Sequence, residues 1–208
     1  MQRIRLLAAA LSMLVPVRVA SLSAQSTLNG GLHFGIMGGE TKPVGDLSAY
    51  ADHDWNAGAL LSIGAANSPV SFRLDGQWQQ IRGHYFGGAL LCVGCPSFSE
   101  GTDYRVLDAT ANVVYSVAIA APTKLYVIGG MGVYNQRATD ISSDVRVNRT
   151  RFGINGGAGV SFQLFHVATF VEARYHDIIR GGSFGAFGNA YGGPNTFQFI
   201  PINVGVMF

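Results

Sequence analysis

The sequence predicts an all-β chain: an eight-stranded antiparallel up-and-down β-barrel that crosses a membrane, preceded by a cleaved signal peptide. Three observations carry that expectation. Apolar and polar residues alternate along eight segments, the connectors between them alternate long and short, and no window holds a helical period with caps.

Composition sets the class. The 208 residues are 48% apolar, 11% aromatic and only 12% charged, with 28 glycines. That is too apolar for a disordered chain, and the length suits one domain. The formal charge of +2 includes Arg3, Arg5 and Arg18; without them 11 Lys and Arg face 12 Asp and Glu. The remaining chain therefore offers no basic surface for nucleic acid, which is not an expected partner.

Those three arginines belong to the N-terminus. A basic segment, Met1 to Arg5, precedes an apolar run from Leu6 to Val15, and Pro16 to Ala24 ends in small residues before Gln25. This is the pattern of a secretory signal. A spanning helix needs about 20 apolar residues, and Pro16 and Arg18 stop this run at about ten. Cleavage after Ala24 is expected, giving a signal peptide over 1–24 and one barrel domain over 25–208. Farther along, the longest apolar candidate, Val113 to Ala121, contains Ser116 and stops at Pro122 and Lys124, so no transmembrane helix is expected.

Strands are expected near Gly30 to Gly39, Trp55 to Ala65, Val70 to Ile81, Tyr104 to Val117, Lys124 to Arg137, Thr150 to Gln163, Val167 to Arg180 and Phe197 to Phe208. They are longer than the usual strand of about five or six residues and suit a tilted crossing of a bilayer. Long connectors are expected at 40–54, 82–103, 138–149 and 181–196, and short ones at 66–69, 118–123 and 164–166. In a membrane barrel this alternation puts surface loops at one end and short turns, with both termini, at the other.

The faces sharpen the case. In the third segment Phe72, Leu74, Gly76 and Trp78 alternate with Ser71, Arg73, Asp75, Gln77 and Gln79. The fourth sets Leu107, Ala109, Ala111, Val113 and Tyr115 against Asp108, Thr110, Asn112 and Ser116. The sixth opposes Phe152, Ile154, Ala158, Val160 and Phe162 to Arg151, Asn155, Ser161 and Gln163, and the seventh opposes Val167, Thr169, Val171, Ala173 and Tyr175 to Glu172, Arg174 and His176. An Arg facing lipid at mid-bilayer costs about 2 to 4 kcal/mol, so the charged face must turn into the lumen. The fifth segment, with Gly129, Gly130 and Gly132, does not declare its faces.

The last segment sets Ile202, Val204, Val206 and Phe208 against Pro201, Asn203, Gly205 and Met207, with Phe208 at the end. Together with GGAGVSF at Gly156 to Phe162 and FVEARYH at Phe170 to His176, it resembles the OmpA/OmpX-like family of small bacterial outer-membrane β-barrels, across the whole mature chain. The resemblance implies location in the cell outer membrane, contact with outer-membrane lipid and lipopolysaccharide, a monomer, and an assembly signal at Val204, Val206 and Phe208 read by the barrel-assembly machinery. The periplasmic peptidoglycan-binding domain known in the family is expected to be absent.

Eight strands enclose a lumen just wide enough for side chains to fill. Arg73, Asp75, Asp108, Arg151, Glu172, Arg174 and His176 are expected to pack there as a hydrogen-bonded, ion-paired polar network. A narrow pore for small solutes or ions through the same residues is the alternative. A wide aqueous channel needs about 16 strands or more.

Catalytic signals are weak. Lipid A deacylases of the outer membrane resemble a pattern in which His is followed two residues later by Ser, with a supporting Glu. Here Asp177 and Ile178 follow His176, so no serine stands where a base would activate it. His33, His53, His84 and His166 show no triad or metal spacing, and no glycine-rich phosphate motif precedes a helix. No cofactor, no metal and no enzymatic activity are expected, a lipid A-modifying enzyme being the remote alternative. Cys92 and Cys95 form C-V-G-C in the longest connector of an exported chain, where a local disulfide is expected. Asn148-Arg149-Thr150 matches a glycosylation acceptor by chance. The functional expectation is a structural or surface-interaction barrel whose loops, with Tyr85, Phe86, Phe98, Phe184, Phe187 and Tyr191, contact surroundings outside the cell.

Overall fold

The computed structural model describes residues 31–65, 68–83, 86–88, 98–100, 102–140, 146–165, 167–179 and 196–208. The expected signal peptide, Cys92 and Cys95 lie outside them, as do Tyr85, Phe184, Phe187 and Tyr191. Eight strands make the wall: β1 (Gly31–Val44), β2 (Asp54–Gly64), β3 (Val70–Gly83), β4 (Thr102–Ala120), β5 (Thr123–Asp140), β6 (Arg146–Leu164), β7 (Val167–Ile178) and β8 (Phe197–Met207).

Each strand pairs antiparallel with its neighbours in sequence, and β1 closes on β8 from Gly35↔Met207 to Val44↔Gln198. The path of paired residues from Gly31 runs through Gly64, Ser71, Val114, Ile128, Gly157 and Arg174 and on across β8 to reach β1 again at Thr41. From 31 to 41 is a stagger of ten residues, which tilts the strands by roughly 40° to the barrel axis. Closure leaves no unpaired edge, the condition for a β-structure to sit in lipid. No described helix is long and apolar enough to cross a membrane, so any crossing is made by these strands.

β1 and β3 to β6 outrun their expected ends, whereas β7 stops at Ile178, short of Arg180. β4, β5 and β6 are 19, 18 and 19 residues long, because the backbone ladder continues past the apolar alternation into polar sequence. The connector expected over 138–149 is accordingly reduced to 141–145, and the turn expected over 118–123 to Ala121 and Pro122, joined by a cis bond. The first long connector holds a 3-10 turn, Gly45–Ala49, and a short strand, Ala51–Asp52, that pairs with Arg82 and Gly83. In the second, Phe86–Gly88 pairs with Phe98–Glu100.

The outer face is apolar. Leu32, Phe34, Ile36, Leu61, Phe72, Leu74, Leu107, Val113, Val127, Met131, Ile154 and Val204 are all exposed. A soluble protein could not leave so continuous a belt in water. Aromatic residues flank it: Phe34, Phe72 and Tyr115 toward the turn end, and Trp55, Trp78, Tyr175 and Phe152 toward the loop end, all exposed. Such girdles mark the two interfaces of a membrane barrel.

The lumen corrects one expectation, that its face would be polar throughout. It is layered. Met37, Leu60, Val114, Tyr126, Ile128 and Phe170 form an apolar cluster toward the turn end. A larger one at the loop end gathers Leu47, Ala51, Ile81, Tyr104, Val106, Tyr134, Ala138, Ile178, Phe197 and Phe199. Inside a closed wall, apolar side chains out of reach of lipid pack on one another as in any protein core. β5 now declares its faces, with Tyr126, Ile128, Tyr134 and Gln136 buried and Val127, Met131 and Val133 exposed.

The two sides make opposite demands on a substitution. Val113→Arg puts a guanidinium into the middle of the lipid-facing belt and should lower stability by about 2 to 4 kcal/mol. Ala173→Leu adds an apolar group to the same outer surface and should change it by about 0.5 kcal/mol or less. Urea unfolding in lipid vesicles measures both.

Candidate functional site

β3 and β7 stand four strands apart in a ring of eight, so they face each other across the lumen. Each carries an Arg and an acid two residues apart, hence on one face: Arg73 and Asp75 on β3, Glu172 and Arg174 on β7. The four side chains meet in a closed ring. Arg73 donates from Nη2 to Glu172 Oε1 at 2.8 Å and from Nε to Asp75 Oδ2 at 3.1 Å. Arg174 donates from Nε to Glu172 Oε1 at 2.7 Å and from Nη1 to Asp75 Oδ2 at 3.1 Å. Each charge thus has two partners of opposite sign, and all four side chains are buried.

Neutral donors complete the ring. Tyr126 donates its hydroxyl to Glu172 Oε2 at 2.9 Å, and Asn112 donates from Nδ2 to Asp75 Oδ2 at 2.6 Å. The Phe170 ring lies under the Arg73 guanidinium, 5.6 Å from its centroid. Gly159 makes room for Tyr126, because a Cβ there would collide with the tyrosine ring and with the Val171 carbonyl oxygen.

Asp108 and His176 belong to the layer above. Gln79 links Asp108, at 3.3 Å, to Gln77, and accepts a hydrogen bond from Thr41, to which Asn56 donates at 3.1 Å. His176 Nδ1 lies 3.0 Å from the Tyr134 hydroxyl, and its ring stacks on Phe199 at 4.9 Å and 13°. The hydroxyl beside this imidazole is a tyrosine's, held in the loop-end cluster, which gives no serine nucleophile to activate. Arg151 is not brought into the ring. It pairs across strands with Tyr134 near the loop-end rim, where it is half-buried.

Both ends of the lumen are furnished. At the loop end the 3-10 turn folds inward and buries Leu47 completely. Gly45, at φ +60, supplies the left-handed residue this entry needs. At the turn end a cavity of about 110 Å³ opens between His33, Ser62, Ser71, Lys124 and Ser161 and ends on Arg73. Among the described residues no cluster of His, Cys, Asp or Glu could hold a metal ion. Val204 lies exposed on the outer face of β8, and Phe208 exchanges backbone hydrogen bonds with Phe34 at 2.7 and 3.2 Å as the wall closes. Sequence reasoning missed Leu47, Tyr126, Tyr134, Phe170 and Phe199. The last four share inward parity with their polar neighbours, whereas Leu47 sits in a connector with no periodic signal.

Residues 7–208 match the family model described as an outer membrane protein beta-barrel domain. Neisserial surface protein A is similar in structure, with a TM-score of 0.52 and 16% identity over 85% of this chain and 95% of that one. A major outer membrane protein from Thermus thermophilus is similar with a TM-score of 0.54 and 12% identity, over 86% of this chain and 99% of that one. At these identities the likeness speaks for the fold alone. No curated protein matches the sequence.

Breaking the ring should be costly and coupled. Arg174→Leu leaves Asp75 and Glu172 short of a cation and should cost about 3 to 5 kcal/mol. A double-mutant cycle of Arg174→Leu with Asp75→Asn should show a coupling of about 0.5 to 3 kcal/mol, read from urea unfolding in detergent. Gly159→Ala, which alters no charge, should still cost about 1 to 3 kcal/mol by displacing Tyr126.

Proposed function

Because the chain belongs to the outer membrane protein β-barrel domain family, and so resides in the bacterial outer membrane, we propose that it is a structural and surface-contact barrel whose loop end faces the cell exterior. One observation carries this reading. The lumen is occupied across its width by the Arg73–Asp75–Arg174–Glu172 ring and closed toward the loops by the cluster around Leu47, which leaves transport nothing to pass through. The long connectors at the loop end then remain as the parts of the protein that meet other molecules, the usual place for function on a rigid scaffold.

The enzyme reading finds no support in the lumen, where Glu172 accepts from Tyr126 and His176 meets the Tyr134 hydroxyl and the Phe199 ring. The narrow-pore reading would require the ring to open, separating buried opposite charges at a cost of several kcal/mol. In the same proposal the signal peptide is removed after Ala24, and the assembly machinery reads the outward-facing end of β8 at Val204, Val206 and Phe208.

Planar-bilayer recording of the refolded protein should show no steady conductance, and lipid A from cells expressing it should keep its mass. Stable ion steps would replace the proposal with a pore, and a mass change with an enzyme. Epitope tags at Gly94, Ser143 or Gly188 should be reachable on intact cells and tags beside Asn67 or Thr123 should not. N-terminal sequencing of the mature protein should begin at Gln25.

A further inference from the structure

The four charges of the ring cancel, but the lumen face carries a further cation toward the turn end that nothing cancels. Lys124 stands at the start of β5 with inward parity, two residues before Tyr126, and is half-buried while its neighbour Leu125 is exposed on the outer face. Between the ring and the turns the described residues include no Asp or Glu, and among them no hydrogen bond or ion pair engages Lys124. A cation drawn partly out of water gains from an anion brought to it.

Lys124 lines the turn-end cavity of about 110 Å³, and the polar groups around it are hydrogen-bond donors. His33 pairs across strands with Ser62, Ser62 with Arg73, and Lys124 with Ser161, while Ser71 and Ser116 line the cavity from β3 and β4. Among the described residues no side-chain hydrogen bond engages His33 or any of these four serines, although Ser161 is only 7% exposed. At the floor Arg73 gives Nε to Asp75 and Nη2 to Glu172, and neither acid takes Nη1. Val70, Val114 and Met207 add apolar wall. Because the cavity ends on a filled ring, it can hold a ligand but not pass one.

We infer that this cavity binds the carboxylate of a small monoanionic acid that enters from the turn end. The ring sets two guanidiniums against two carboxylates, so Lys124 supplies the one net positive charge, which a carboxylate matches. A phosphate dianion would bring a second negative charge toward Asp75 and Glu172, behind Arg73, with nothing to answer it. The two carboxylate oxygens accept from the ammonium, the His33 ring N–H and the serine hydroxyls, and the apolar wall takes a short aliphatic body. A free acid and the C-terminal residue of a peptide share this chemistry. The inference rests on the orientation proposed above for the compartment that supplies the acid, the periplasm.

The test is an NMR titration of the refolded, isotope-labelled mature protein in detergent micelles with propionate, N-acetylalanine, its uncharged amide N-acetylalaninamide, and inorganic phosphate. The two carboxylates should shift the amide signals of Ser62, Ser71 and Ser161 saturably, and the amide and phosphate should bind about tenfold more weakly. Lys124→Gln should weaken carboxylate binding about tenfold, about 1.4 kcal/mol. Ser71→Leu, which fills the cavity and leaves every charge in place, should abolish it, while Lys42→Gln at the loop end binds as wild type does. A heat-modifiable gel shift confirms that each variant is folded. Tighter binding of N-acetylalanine would support a peptide terminus as the source, and equal or tighter binding of propionate a free acid. No saturable shift with either carboxylate, an equal response to the amide or to phosphate, or unchanged binding by either cavity variant would each overturn the site. Micelles have no sidedness, so reversed epitope tags would overturn the orientation while this titration still judged the site.

Discussion

Four charges that must cancel inside a closed wall set the conditions for the rest of the molecule. An eight-stranded barrel is narrow, and a lone buried charge in it would cost several kcal/mol. Arg73, Asp75, Glu172 and Arg174 avoid that cost because β3 and β7 are diametrically opposed, so each guanidinium spans the two acids. The stagger of ten residues decides which levels of the two strands meet. A slip of one residue in β7 would turn Glu172 and Arg174 toward lipid and strand the β3 pair inside.

The ring is only one layer of a filled interior. Below it the wall encloses Phe170, Leu60 and Met37, and above it an amide and hydroxyl layer gives way to Phe197, Phe199, Tyr104 and Leu47. This arrangement reconciles two solvents. Lipid outside offers no hydrogen bonds, so the backbone N–H and C=O groups of the wall must pair with one another, as the closed ladder lets them do. Apolar side chains that cannot reach the belt pack against one another at the two ends.

A filled barrel leaves chemistry to its edges. The rim above the belt is where the chain is free to carry charge at little cost, since the penalty for a basic residue falls toward the interface. There the antiparallel register sets Arg105 against Arg137, both exposed, and like charges so placed repel. The near-neutral balance of the whole chain conceals this, because a net charge does not record which residues the sheet brings side by side.

The sequence by itself determined the class of fold, the strand count and the two faces of most strands, because the period of two and the contrast between lipid and lumen act on neighbouring residues. It also placed Arg73 and Asp75, and likewise Glu172 and Arg174, on common faces by parity alone. It did not reveal the faces of β5, where glycines interrupt the alternation, nor that Arg151 stops short of the ring while Leu47 enters the lumen from a connector. Tertiary structure decided those, along with the opposition of β3 and β7 and the meeting of Arg105 with Arg137. The opposition of β3 and β7 depends on the closure and stagger of the barrel, which bring Arg73 to Glu172 and Asp75 to Arg174, 99 positions away in each case, and no local pattern along the chain encodes that distance.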